Sequence, residues 1–159
     1  YALTRSNTST SLTRALFTGG GHPGMRATFS TAARASEEAK LLVRTIASGD
    51  KVFCRDVLDV NEASALKLNE PEKRPYRTFL SIPVLRDKDS PHDQRVIGML
   101  SINATHVDAL TASDAAILKV YAWALAAAFE ADRLGRERPR ASTSTSEASS
   151  SIHSNGMED

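Results

Sequence analysis

Two nine-residue stretches, Arg77–Leu85 and Arg95–Asn103, place the tightest limits on what this chain can fold into. Both are rich in aliphatic and β-branched residues, and the segment 86–94 between them is polar, with three aspartates, a serine and a proline. That pattern predicts two strands joined as an antiparallel hairpin. Successive side chains of a strand point to opposite faces. Leu80, Ile82 and Val84 therefore share one face, and Leu100 and Ile102 continue its aliphatic character on the second strand. This face is expected to meet helices. The other face presents Phe79 and Ser81 beside Ile97, Met99, Ser101 and Asn103, a mixture of apolar surface and small polar groups that suits the wall of a small-molecule cavity.

Helices are predicted on both sides of this hairpin in the chain. Ser36 is a capping residue followed by Glu37 and Glu38, which favour the positive end of a helix, and Ala39, Leu42, Val43 and Ile46 fall on one face before Gly49 ends it. Thr111 can cap a second helix, with Asp114 three positions on as a short capping box, ahead of Ile117, Leu118, Tyr121, Leu125 and Phe129. Between them Lys51–Val57 reads as a strand, and Asp59–Pro75 as a charged, exposed connection holding a short helical turn. The opening residues Tyr1–Ser11 are rich in Ser, Thr and Asn and show little periodicity. Leu12–Phe17 reads as one short strand, and Gly19–Gly24 as a loop in which glycine permits positive φ. The chain thus divides into an ill-defined segment 1–35, a folded unit 36–134 and a Ser/Thr-rich segment 135–159, which lacks the large apolar residues needed to offset the entropy of ordering.

Charge and cysteine usage exclude several functions. Twenty basic residues against nineteen acidic ones give a net charge of +1, too little to attract nucleic acid or an acidic membrane through a long-range field. The single cysteine, Cys54, allows neither an intramolecular disulfide nor a clustered-thiol metal site, which fits a reducing compartment, the cytoplasm. The alanine-rich run around Trp123 is closed by Glu130, Asp132 and Arg133, so no membrane span is expected. The start at Tyr1 shows no signal-peptide pattern and reads as truncated.

The order of these segments is more specific than any one of them. Ile46–Val57, then Tyr76-Arg77-Thr78-Phe79-Leu80-Ser81-Ile82-Pro83-Val84, then Val96-Ile97-Gly98-Met99-Leu100-Ser101-Ile102-Asn103 and the helix opened by Leu110-Thr111-Ala112-Ser113-Asp114 resemble the latter part of a GAF domain, over residues 36–134. The resemblance implies an α+β fold: a central antiparallel sheet with helices packed on one face and, on the other, a ligand cavity bounded by loops and short helices. It also implies an initial helix and one or two strands that the residues before Ser36 do not reveal. Carried onto this sequence, the cavity floor of such domains falls on Phe79, Ser81, Met99, Ser101 and Asn103, the candidate ligand-binding residues. Their chemistry names no ligand or cofactor, and small polar residues on a sheet face also serve as plain local hydrogen-bonding groups.

Other reactive residues read more blandly. Cys54 is followed by Arg55 rather than histidine and reads as a buried strand cysteine, and a single thiol has no resolving partner for redox catalysis. His22, His92, His106 and His153 show no metal-ligand spacing, although His106 follows the candidate cavity strand. The glycine turn lacks the lysine and Ser/Thr of a phosphate loop, and the carboxylate pairs Glu37-Glu38 and Glu70 with Glu72 read as a helix start and an exposed loop. The expected function is a non-catalytic sensory or regulatory module that binds a small molecule or relays a signal. A structural interaction domain without ligand is the alternative, and the helix Thr111–Leu134 is a candidate homodimer surface.

Overall fold

A computed structural model of the chain describes residues 1–15, 28–86 and 95–137. The glycine turn, the connection inside the hairpin and the Ser/Thr-rich segment beyond residue 137, together with His22, His92 and His153, lie outside the described residues.

The described elements, in chain order, are β1 (Ala2–Arg5), β2 (Thr10–Thr13), β3 (Thr28–Ser30), α1 (Glu37–Ala47), β4 (Val52–Cys54), α2 (Val60–Ala65), β5 (Thr78–Leu85), β6 (Val96–Ala104) and α3 (Ala112–Glu137). A 3-10 turn, Pro71–Lys73, precedes β5. The strands form one sheet in the order β3-β2-β1-β6-β5-β4, with every described pairing antiparallel. This is the expected α+β arrangement.

The helix ends follow the capping chemistry of the sequence. The Ser36 hydroxyl accepts from the Ala39 amide at 3.2 Å, and Gly49 turns the chain out of α1 at a φ of 92°. At α3 the Asp114 carboxylate accepts from both the amide and the hydroxyl of Thr111, each at 2.7 Å. Asp59, not singled out by the sequence reading, caps α2 by accepting from the amides of Asn61 and Glu62 at 2.9 Å.

The hairpin forms as the alternation requires. Phe79 stands opposite Asn103, Leu80 opposite Ile102, Ser81 opposite Ser101 and Ile82 opposite Leu100. Pro83 sits where β4 no longer pairs, because the β4 ladder ends with Val52 opposite Ser81, so its missing amide costs no ladder bond on that side. Leu80, Ile82 and Val84 are buried against Ala115, Leu118, Ala122 and Ala126 of α3, whose three alanines let the helix approach the sheet closely. On the opposite face Met99 and Val96 join Leu12, Val43, Ile46 and Val52 beneath α1. Ile97 departs from the expected alternation. The register shifts between Val84 and Leu85, so that Gly98 faces Val84 and Val96 faces Leu85, leaving Ile97 as the extra residue of a bulge. It packs with the α3 cluster instead of the cavity face.

Segment 1–35 contributes more than the sequence indicated. β1 lies between β2 and β6, and the Tyr1 α-ammonium donates to the Met99 carbonyl while the Met99 amide donates to the Tyr1 carbonyl, each at 2.9 Å. Of the strand read as Leu12–Phe17, the described part is strand to Thr13 within β2 and residues 16–17 lie outside the described residues, and β1 falls in a stretch whose composition shows no strand pattern. Pairing on both sides of β1 supplies what intrinsic propensity does not.

α3 is a helix with two apolar faces. Ile117, Val120, Tyr121, Trp123, Phe129 and Leu134 are exposed on it, and Ala112–Leu134 is long and apolar enough by composition to cross a bilayer, although one face packs on the sheet. The expectation of no such stretch rested on an unbroken run. The helix instead spreads its apolar residues past the charges at its C-terminal end.

A cavity over the hairpin, roofed by an ion-paired loop

Five alternate side chains of β5 and β6, Phe79, Ser81, Met99, Ser101 and Asn103, line one cavity of about 250 Å³. The pleat turns them to the same face, and the β5–β6 register sets them side by side. Ser81 and Ser101 are joined hydroxyl to hydroxyl at 2.8 Å. Tyr1 and Phe29 close one flank with ring centroids 5.5 Å apart, and Tyr76 meets Phe79 edge to face at 5.9 Å on another. Glu38, Leu41 and Leu42 of α1 form a third side. All the sequence-predicted ligand-binding residues are therefore on one wall, whereas His106 is exposed in the turn after β6 and does not line the cavity.

The roof comes from the connection that the sequence presents as merely charged and exposed. Leu66, Leu68, Asn69, Glu70, Lys73, Arg74, Pro75 and Tyr76 all line the cavity. What folds this segment inward is Glu38. Its side chain is 8% exposed and that of Arg74 is 14% exposed, and the Arg74 Nη2 donates to Glu38 Oε2 at 2.7 Å. The same guanidinium donates to the Asn69 carbonyl at 3.2 Å and to the Tyr76 hydroxyl at 2.6 Å, and the Asn69 amide donates to Glu38 Oε2 at 3.3 Å. Burial works against the Arg74 charge, but Tyr76 and Glu38 outweigh it and hold the guanidinium above its ordinary value. Arg74 Nε is buried and finds no hydrogen-bond partner among the described residues. Lys67 and Glu70 take positive φ values of 53° and 47°, a strained conformation for residues with side chains, at the two bends of this roof.

Glu38 and Arg74 are thus cavity residues that no local pattern marks, since Glu38 reads as a helix start and Arg74 as part of a charged connection. The available signal was the position of Glu38 one helical turn before Leu42, on the inward stripe of α1. A carboxylate there needs a buried counter-charge.

Cys54 is fully buried in β4, and burial, followed by the nearby Glu62 carboxylate, pushes its thiol up to about 12. At neutral pH it is a thiol rather than a nucleophilic thiolate. Nearby, Arg77 forks onto Asp56 at 2.9 and 2.7 Å, which holds the Asp56 carboxyl below its ordinary value and fastens the start of β5 to the exit of β4. No group of three His, Cys, Asp or Glu side chains converges as a metal site among the described residues.

No protein-family model and no curated protein matches the chain. Among solved structures, it is similar to the GAF domain region of a protein from Geobacter sulfurreducens PCA, at 23% identity and a TM-score of 0.46, over 60% of this chain and 59% of the other. It is also similar to a far-red cyanobacteriochrome photoreceptor, at 14% identity and a TM-score of 0.51, over 81% of this chain and 74% of the other. The chain spans less than two thirds of the first of these. The second likeness is one of fold, and with the sheet order and the placement of α1 and α3 it gives the chain a GAF-like α+β fold.

Proposed function

We propose that this GAF-like chain is a non-catalytic sensory or regulatory module that takes a small molecule into the cavity over the β5–β6 hairpin. The observation that carries this reading is the cavity itself: the hairpin face that packs Met99 and Val96 beneath α1 also leaves a space over Phe79, Ser81, Ser101 and Asn103, roofed by a loop held through the Glu38–Arg74 pair. Its volume of about 250 Å³ lies just below the roughly 300–1,000 Å³ common for small-molecule sites, so a compact ligand fits it. Ser81 and Ser101 face this cavity from strands whose intervening residues, Leu80 and Ile82, are packed on α3. A ligand that shifts the two strands is then felt directly by that helix, which provides a route for relaying occupancy.

Native mass spectrometry of the chain purified from expressing cells is expected to show a bound small molecule that is lost in Ser101→Leu, whose larger side chain fills the cavity floor. A ligand present at 100 times its Kd adds about 2.7 kcal/mol to the folded state, which thermal unfolding detects. An empty wild-type chain with a melting temperature unmoved by cyclic nucleotides, tetrapyrroles and aromatic metabolites would end this reading.

A second reading, an interaction module that dimerises through α3, is favoured by one specific feature. Ile117, Ala124 and Ala131 repeat every seven residues, as do Val120, Ala127 and Leu134, and all six are exposed. That is the a/d pattern of a coiled-coil seam, set away from the face buried on the sheet. Sedimentation of the wild-type chain is then expected to show a dimer, and Val120→Glu with Leu134→Glu a folded monomer. A wild-type chain that is monomeric at 100 µM would dismiss the seam.

A further inference from the structure

We infer that the cavity selects an uncharged, planar aromatic or heteroaromatic molecule carrying a hydrogen-bond acceptor at its edge, an inference that rests on the ligand-binding reading above. Three observations define this class. The first is charge. Among the described residues four ionic side chains line the cavity, and they cancel as two pairs, Arg74 with Glu38 and Lys73 with Glu70. A ligand charge entering this space leaves water without meeting an uncommitted counter-charge, which is unfavourable for anions and cations alike. Burial also raises the Tyr1 phenol above its ordinary value, so the phenol itself stays neutral.

The second observation is shape. The aromatic rings of Tyr1, Phe29, Tyr76 and Phe79 all border the space, and Met99 supplies a polarizable floor. Flat rings bind other flat rings by offset or edge contacts, with sulfur as a further favourable neighbour.

The third is the polarity of the hydrogen bonds still to be made. The Tyr76 oxygen already accepts from Arg74, so its own proton is left to donate. Within the Ser81–Ser101 pair one hydroxyl spends its proton on the other, which keeps a proton to donate. Both groups therefore call for an acceptor, such as a carbonyl oxygen or an unprotonated ring nitrogen, on the ligand.

The test uses the full 159-residue chain and three related probes followed by amide chemical shifts. Coumarin is neutral, planar and carries a carbonyl, coumarin-3-carboxylate adds a negative charge, and naphthalene has the flat rings without an acceptor. Coumarin is expected to move the amides of Ser81, Ser101 and Asn103 saturably and to bind at least about tenfold more tightly than the carboxylate, with naphthalene weaker than coumarin by about threefold. In Glu38→Gln, which keeps an acceptor for Arg74 but removes the compensating charge, the carboxylate is expected to gain about tenfold on coumarin. Carboxylate binding equal to or tighter than coumarin in the wild-type chain overturns the ligand class while leaving ligand binding intact. Naphthalene binding as tightly as coumarin overturns the acceptor requirement. Silence of all three probes at the cavity amides overturns the class, while an empty wild-type chain in native mass spectrometry is what overturns the reading beneath it.

Discussion

Arg74→Met is expected to lower stability by about 3 kcal/mol or more, because it removes the counter-charge of a carboxylate that stays buried. Glu38 lies on α1, whose inner face is packed on the sheet, so it cannot swing out to water without dragging the helix. The same substitution deletes the bonds from the guanidinium to the Asn69 carbonyl and the Tyr76 hydroxyl and so loosens the roof of the cavity. Removing both partners is a different matter. The pair is costly to desolvate, and Arg74 Nε finds no hydrogen-bond partner among the described residues, so Glu38→Leu with Arg74→Met is expected to return to within about 1 kcal/mol of the wild type. Urea denaturation of the two single variants and the double variant measures this directly. A cost below about 1 kcal/mol for Arg74→Met would show that water reaches the pair and that the roof is held by something else.

Gly98→Val is expected to cost about 3 kcal/mol and to lower the melting temperature by about 10 °C or more. A β-carbon at position 98 would stand 2.4 Å from the Tyr1 carbonyl oxygen, an overlap with backbone rather than with a yielding side chain. That oxygen accepts from the Met99 amide, so moving it away breaks the junction of β1 with β6 and parts the sheet between its N-terminal three strands and the hairpin. Gly49 supplies the control. Its φ of 92° disfavours a side chain, yet nothing lies within 4 Å of the added β-carbon, so Gly49→Ala pays only backbone strain of about 1 kcal/mol. If Gly98→Val proves no more harmful than Gly49→Ala, the close approach of β1 to β6 does not hold in solution.

The two substitutions probe features that differ in how they are written into the chain. Alternation along Thr78–Leu85 and Val96–Ala104 is a local property, since the backbone geometry of a strand fixes which side chains share a face. The cavity floor and the α3-facing core could therefore be assigned from the sequence, as could Ser36 and Thr111 as caps, whose hydrogen bonds reach only three residues ahead. Ile97 marks where this reasoning stops. A bulge inserts one residue against a partner strand, and nothing in Val96-Ile97-Gly98 shows that the partner is Val84-Leu85.

Sequence alone determined the hairpin, its two faces apart from Ile97 and the helices that flank it, because each depends on periodicity or on contacts within a turn of chain, and the five residues of the cavity floor follow from that alternation together with the GAF resemblance. Tertiary structure alone decided the roof and the sheet's far half. Glu38 and Arg74 are 36 residues apart, and Tyr1 and Met99 are 98 apart, so neither pairing leaves a periodic trace. A buried ion pair or an interior strand is chosen by which surfaces the folded chain brings together, and the free energy of that choice comes from desolvation and pairing at the meeting point rather than from the propensities of the residues that meet.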